Sequence, residues 1–117
     1  MMRHLEDQLQ MSCVQYFDFK YRKLSRLLHH SPNGGKRNAK EAARFKAMGV
    51  RAGFPDLLLL YPNKSYHFLT MELKSEKGKQ SPYQKEYQSL IESIGGKYII
   101  IRTLDEFIKA VTDYLNA

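Results

Sequence analysis

Apolar residues recur every three or four positions from Leu5 to Leu28, at Leu5, Leu9, Cys13, Val14, Phe17, Tyr21, Leu24 and Leu28, with no Gly or Pro between them. That period belongs to an amphipathic helix that buries one stripe. It predicts a long first helix giving way near Leu27 to a short extended piece, Leu28-His29-His30-Ser31, because Pro32 disfavours helix in the residue before it. Pro32-Asn33-Gly34-Gly35-Lys36-Arg37 has the composition of a turn-rich loop. Asn38 is placed to cap a short helix, Ala39 to Met48, which Gly49 ends.

At Asp56 the pattern changes to a continuous apolar run reaching Tyr61, the signature of a strand covered on both faces. After the turn Pro62-Asn63-Lys64-Ser65, Tyr66 to Ser75 reads as the returning strand of a hairpin. Strand alternation puts Phe68, Thr70, Glu72 and Lys74 on one face, and His67, Leu69, Met71 and Leu73 on the other. Ser81-Pro82-Tyr83-Gln84 joins a capping box to a proline at the first helical position, and opens a helix whose stripe is Tyr83, Tyr87, Leu90, Ile91 and Ile94. Gly95-Gly96 ends it, Lys97 to Arg102 is a β-branched strand, and Thr103 with Glu106 caps a last helix to about Leu115. A strand joined to another through a helix makes a right-handed parallel crossover, so the strand at Tyr98 should lie beside one hairpin strand. The expected fold is α/β, a small mixed β-sheet flanked by helices.

Composition narrows the class. A chain of 117 residues suits one domain with a modest core, spanning 1–117, and 43% hydrophobic with 26% charged residues is ordinary for a globular protein. No apolar run approaches the roughly 18 residues that span a bilayer, and the polar start Met1-Met2-Arg3-His4-Leu5-Glu6-Asp7 is unlike a signal peptide, so an intracellular (cytoplasmic) protein with no membrane partner is expected. A single cysteine, Cys13, lies on the apolar side of the first helix and reads as buried rather than nucleophilic. Nineteen Lys and Arg against twelve Asp and Glu give a formal charge of +7, which suits a polyanionic partner.

The candidate chemistry sits between Gly49 and Lys74. Asp56 opens one strand, and Glu72 stands two residues before Lys74 on the face of the next. A hard divalent cation such as Mg²⁺ takes oxygen ligands, often one or two carboxylates with water and phosphate completing the shell. Such an ion polarises a phosphate ester and makes hydroxide available near neutral pH. Lys74 could hold or deprotonate the attacking water and offset developing negative charge. Each residue taken singly also reads as a solvated strand residue or a turn cap, but ionic groups interrupting strands that helices should cover are costly unless they have a use. Gly53 and Pro55 shape the approach to Asp56.

Asn33, Lys36 and Arg37 in the glycine-rich loop, with Lys40, Arg44, Arg51, Lys77 and Lys79, could contact a nucleic-acid backbone. The loop lacks the spacing of a nucleotide P-loop, so no nucleotide cofactor is expected. His29, His30 and His67 have no cysteine pair beside them and do not make a zinc site.

The pattern Gly49-x-x-x-Gly53-x-Pro55-Asp56, then Glu72-Leu73-Lys74, then Ser81-x-x-Gln84, resembles the PD-(D/E)xK nucleases, and among them the virus-type replication-repair nuclease (VRR-NUC) domain. The likeness covers nearly the whole chain and suits a stand-alone, phage-like member. It implies a restriction-endonuclease-like core, a Mg²⁺ or Mn²⁺ cofactor held by Asp56, Glu72 and the Leu73 carbonyl, Lys74 as the catalytic lysine, and Gln84 assisting. Gln84 also has a capping-box role of its own. Glu6 matches the family's acidic residue on the first helix, as a catalytic and metal-binding group, with Asp7 as its competitor.

The activity so implied is a DNA endonuclease for DNA repair that selects DNA structure, extending to Holliday-junction resolution by a homodimer, since a junction needs two symmetric cuts. The alternatives are a flap, nick or single-strand nuclease or an exonuclease, and a DNA-binding module without activity.

Overall fold

The computed structural model describes residues 2–32 and 38–117, with side chains from Leu5 onward. Helix α1 spans Met2–Lys20. It does not run on to Leu28: a 3₁₀ helix occupies Arg22–Leu27, followed by strand β1, Leu28–His30. The change has a visible cause in the spacing. Tyr21, Leu24 and Leu27 all pack against the core, and residues three apart line up on a 3₁₀ helix, which has three residues per turn. The tight ring contact of Phe17 with Tyr21, centroids 5.1 Å apart, marks the switch.

Helix α2, Ala39–Ala47, starts at Asn38, whose side chain accepts from the Glu41 N–H. Strands β2 (Leu57–Leu59) and β3 (Phe68–Leu73) form the expected antiparallel pair, with Leu57 opposite Met71 and Leu59 opposite Leu69. Helix α3 is Pro82–Ser93, strand β4 is Gly96–Ile101 and helix α4 is Leu104–Asn116. The sheet order is β1-β2-β3-β4. β1 and β3 flank β2 antiparallel, and β4 lies parallel to β3 with Glu72 beside Ile100 and Leu73 beside Ile101.

One face of the sheet carries the main core. Leu57, Leu59, Leu69, Met71, Leu73 and Ile101 meet Cys13 and Phe17 of α1 and Phe107, Val111 and Tyr114 of α4, all buried. Burial pushes the Cys13 thiol up to about 12, so it packs as a small apolar group. On the opposite face α3 packs on β4 and reaches β3 through the Gln84–Glu72 bond. The apolar run after Asp56, expected to be covered on both faces, is therefore covered on both faces only in part: Leu57 and Leu59 are buried, while Leu60 is 57% exposed. The strands are also shorter than the apolar runs, because Asn63 pulls the connecting loop away, accepting from the Ser65 and Tyr66 N–H groups and donating to the Tyr114 carbonyl.

Gly53 ties the loop before Asp56 to α3. Its φ is +83°, and an added Cβ would lie 2.6 Å from the Tyr83 Cβ and 2.7 Å from the Tyr83 carbonyl carbon. Both the backbone conformation and the space demand glycine. Gly53→Ala is expected to lower the melting temperature, costing more than about 1 kcal/mol, and to reduce activity by shifting the first turn of α3; an unchanged melting curve with full activity would show the junction to be slack.

Candidate active site

Glu72 belongs to the middle of the sheet, on the face opposite the main core, and only 3% of it is exposed. Its Oε2 accepts from Gln84 Nε2 at 2.7 Å. Its Oε1 is buried with no hydrogen-bond partner among the described residues. An ionised carboxylate so placed is costly. The Glu72 carboxyl is accordingly pushed up to about 9, first by burial, then by the charge and the acceptor oxygen of Asp56, with Glu6 adding a little and Lys74 opposing. In the metal-free protein it is therefore a neutral acid over most of the physiological range, able to donate to Asp56.

Asp56 is held from several sides. Its Oδ2 accepts from the Leu73 N–H at 2.7 Å, across the β2–β3 pair. Its backbone carbonyl accepts from the Ser31 N–H at 3.1 Å and from His30 Nδ1 at 3.0 Å, which fixes a proton on that ring nitrogen. Gln84 performs both jobs open to it: its Oε1 accepts from the Ser81 N–H at 2.8 Å in the capping box while its Nε2 holds Glu72. The cap thus fixes the rotamer that reaches the carboxylate.

Glu6 comes in from α1, its Oε2 accepting from the Ser75 N–H at 3.2 Å. Asp7 is exposed. Tyr98, on β4, completes the wall: its phenol, pushed up to about 12 chiefly by burial, accepts from Gln80 and lies beside the Glu72 and Asp56 carboxyls. The Ser75 hydroxyl is a further buried oxygen without a partner among the described residues.

Asp56, Glu72, Lys74, Gln84 and Glu6 are thus brought together from α1, the start of β2, β3 with its end, and α3. Leu73 contributes its N–H to Asp56, and its carbonyl lies in the chain between Glu72 and Lys74. The basic residues behave differently. Lys40, Arg44, Arg51, Lys77 and Lys79 are exposed, whereas Asn33, Lys36 and Arg37 lie outside the described residues.

Among the described residues no three His, Cys, Asp or Glu side chains gather tightly enough to cage a metal by themselves. Two close carboxylates with an orphaned buried oxygen do fit a cation of the Mg²⁺ kind, which keeps most of its shell for water and phosphate. They do not fit a closed zinc site, which takes four protein ligands.

The sequence profile of the VRR-NUC domain matches residues 1–103. The chain belongs to the VRR-NUC family. A solved structure described as a VRR_NUC domain protein is 30% identical, with a TM-score of 0.81, covering 95% of this chain and 88% of the other. No curated protein matches the chain. The VRR-NUC domain is a nuclease fold, and the mixed sheet flanked by helices is its restriction-endonuclease-like core.

In this VRR-NUC chain Arg102 has a role that its position at the end of an apolar strand does not announce. Its Nη1 donates to the carbonyls of Ser75 and Gly78, each at 2.7 Å, and of Glu76 at 3.3 Å. One guanidinium therefore clamps the loop that follows Lys74. Arg102→Ala should speed amide exchange across residues 75–79 and lower activity several-fold, with Arg102→Lys recovering part of the loss, because all three bonds leave one nitrogen and an ammonium carries three donors. Unchanged exchange in that loop would assign its order to something else.

Proposed function

We propose that the chain is a divalent-metal-dependent deoxyribonuclease, an endonuclease that hydrolyses phosphodiester bonds in structured DNA, formed by one domain over residues 1–117. The observation that supports this most directly is the buried Glu72 carboxyl set against the Asp56 carboxyl, in a family of nucleases.

In this reading Asp56, Glu72, the Leu73 carbonyl and Glu6 would hold Mg²⁺ or Mn²⁺. When bound, the cation polarises the phosphate and acidifies water. Gln84 keeps Glu72 turned toward Asp56 through the 2.7 Å bond and stays fixed by its cap. Lys74, on the same face, orients the attacking water and offsets charge on the phosphate oxygens. Hydrolysis joins the water oxygen to phosphorus and breaks the opposite P–O bond, and the leaving alkoxide takes up a proton. The exposed Lys40, Arg44, Arg51, Lys77 and Lys79 hold the DNA backbone, together with the Asn33, Lys36 and Arg37 loop, and binding weakens with salt.

Selection of branched DNA, up to Holliday junctions, by a homodimer is the finer part of the proposal. It is supported by exposed apolar side chains that line one groove between α3 and β2: Leu60, Leu90 and Ile94, at 57%, 59% and 65%. Such a groove is apt for a second copy. Cleavage of branched, flapped, duplex and single-stranded DNA with Mg²⁺, Mn²⁺ and Ca²⁺ is the test. No cutting of any substrate with any ion would leave a DNA-binding module, and gel filtration giving a strict monomer would remove the dimer alone.

A further inference from the structure

Beside the Gly53–Tyr83 junction lies an open cavity of about 430 Å³, lined by Phe45, Lys46, Val50, Arg51, Tyr83 and Tyr87 with two alanines. Its volume is that of a small-ligand pocket, roughly 300–1,000 Å³. Three aromatic rings and two cations line it, and no carboxylate does. A second recess of about 250 Å³ continues it, sharing Val50, Arg51 and Tyr87 and adding Phe54. Tyr83 is 61% exposed, so its ring is not there to fill the core. The cavity is tied to the catalytic groups along two chain segments. Tyr83 immediately precedes Gln84, which holds Glu72, and Arg51 stands five residues before Asp56 on the loop that Gly53 presses against Tyr83.

Rings with exposed faces beside cations are what proteins present to unstacked nucleotides: the base lies on the ring and the phosphate meets the cation. A paired base inside a duplex has both faces stacked and does not fit such a recess. We propose that this cavity receives an unpaired nucleobase of the DNA substrate beside the phosphate to be cut, with Tyr83 and Tyr87 as the stacking surface and Arg51 and Lys46 on its phosphates. The proposal rests on the nuclease reading and sharpens it, since the preferred substrate becomes one with an unpaired nucleotide at the cut. The groove of Leu58, Leu60, Leu90 and Ile94 is a different surface, because among the described residues no cation lines it.

The test uses the full chain carrying Asp56→Asn, so that DNA stays intact, with 2-aminopurine either at an unpaired position of a branched oligonucleotide or inside a perfect duplex of equal length. Adding Tyr83→Ala should weaken binding of the branched DNA about tenfold and abolish the fluorescence change at the unpaired base, with duplex affinity altered less than twofold. Tyr83→Phe, which keeps the ring, should retain both signals. Equal weakening for both DNAs, or no weakening for either, overturns the cavity as a base site. A melting curve for Tyr83→Ala matching its parent excludes a folding fault, and if the curves differ, the Tyr83→Phe comparison decides. Failure of the nuclease reading is seen separately: the unmutated chain with Mg²⁺ or Mn²⁺ would cut none of these DNAs whatever Tyr83 does to binding.

Discussion

Cleavage by the Lys74→Ala variant is expected to fall by about 10²–10⁴-fold, the usual worth of a positioned proton-transfer or charge-stabilising group, with DNA binding retained. Two effects contribute and can be separated. Lys74 opposes the upward push on the Glu72 carboxyl, so its loss makes Glu72 hold its proton more tightly and compete less well for a cation at neutral pH. Raising Mg²⁺ should recover that part. The charge facing the reacting phosphate is not recovered by any amount of metal, and a deficit should persist at saturation. Lys74→Arg restores the first effect and not the second, because its fork cannot sit where a compact ammonium sits. Asp56→Asn should be as damaging to cleavage and equally silent in DNA binding. Undiminished cleavage by either variant, or cutting that needs no divalent ion, would remove the site.

Glu72→Gln should do the reverse to stability: the variant is catalytically dead and yet more stable than the parent in metal-free buffer at neutral and alkaline pH. The Glu72 carboxyl rises from an ordinary 4.5 to about 9 on folding, so the folded state holds a proton that the unfolded chain has released. Its contribution is complete below about pH 4.5 and is lost as pH climbs through about 9. A glutamine keeps the oxygen that accepts from Gln84 and offers Asp56 a permanent donor. The difference between the two melting temperatures in EDTA should therefore widen from pH 5 to pH 9, with the variant higher. Mg²⁺ should raise the parent's melting temperature more at higher pH and leave the variant's nearly unmoved. A gap that stays constant across this range would mean that Glu72 is ionised in the folded protein. Sites commonly trade stability for function in this way.

Periodicity and caps were enough to read most of the architecture. The Ser81-to-Gln84 and Thr103-to-Glu106 boxes both form, and the β-branched run at Tyr98 lies parallel to β3. Glu72 and Lys74 could be paired on one face because a strand repeats every two residues. What stayed hidden depends on contacts far apart in sequence or made to backbone. Glu6, expected at the site only through the family resemblance, reaches the Ser75 amide across 69 residues, a contact that local pattern does not show. Arg102 looks like the polar end of a strand because its partners are loop carbonyls. His30 holds the Asp56 carbonyl without any motif. The break at Tyr21 was missed because spacings of three and four mix in any helix, and only packing shows that Tyr21, Leu24 and Leu27 prefer three.

The parallel partner of β3 has a consequence for when the enzyme becomes dangerous. Asp56, Glu72 and Lys74 leave the ribosome early, but the strand that bears Glu72 and leads into Lys74 is paired along its length by β4, from Phe68 beside Gly96 to Leu73 beside Ile101, with the Lys74 N–H donating to the Ile101 carbonyl. Arg102 then locks the loop beyond. A nascent chain that has reached only Gln84 holds every acidic group of the site and lacks the strand that sets them in place. A chain cut short before Arg102 should therefore carry the acidic residues of the site without the geometry that joins them.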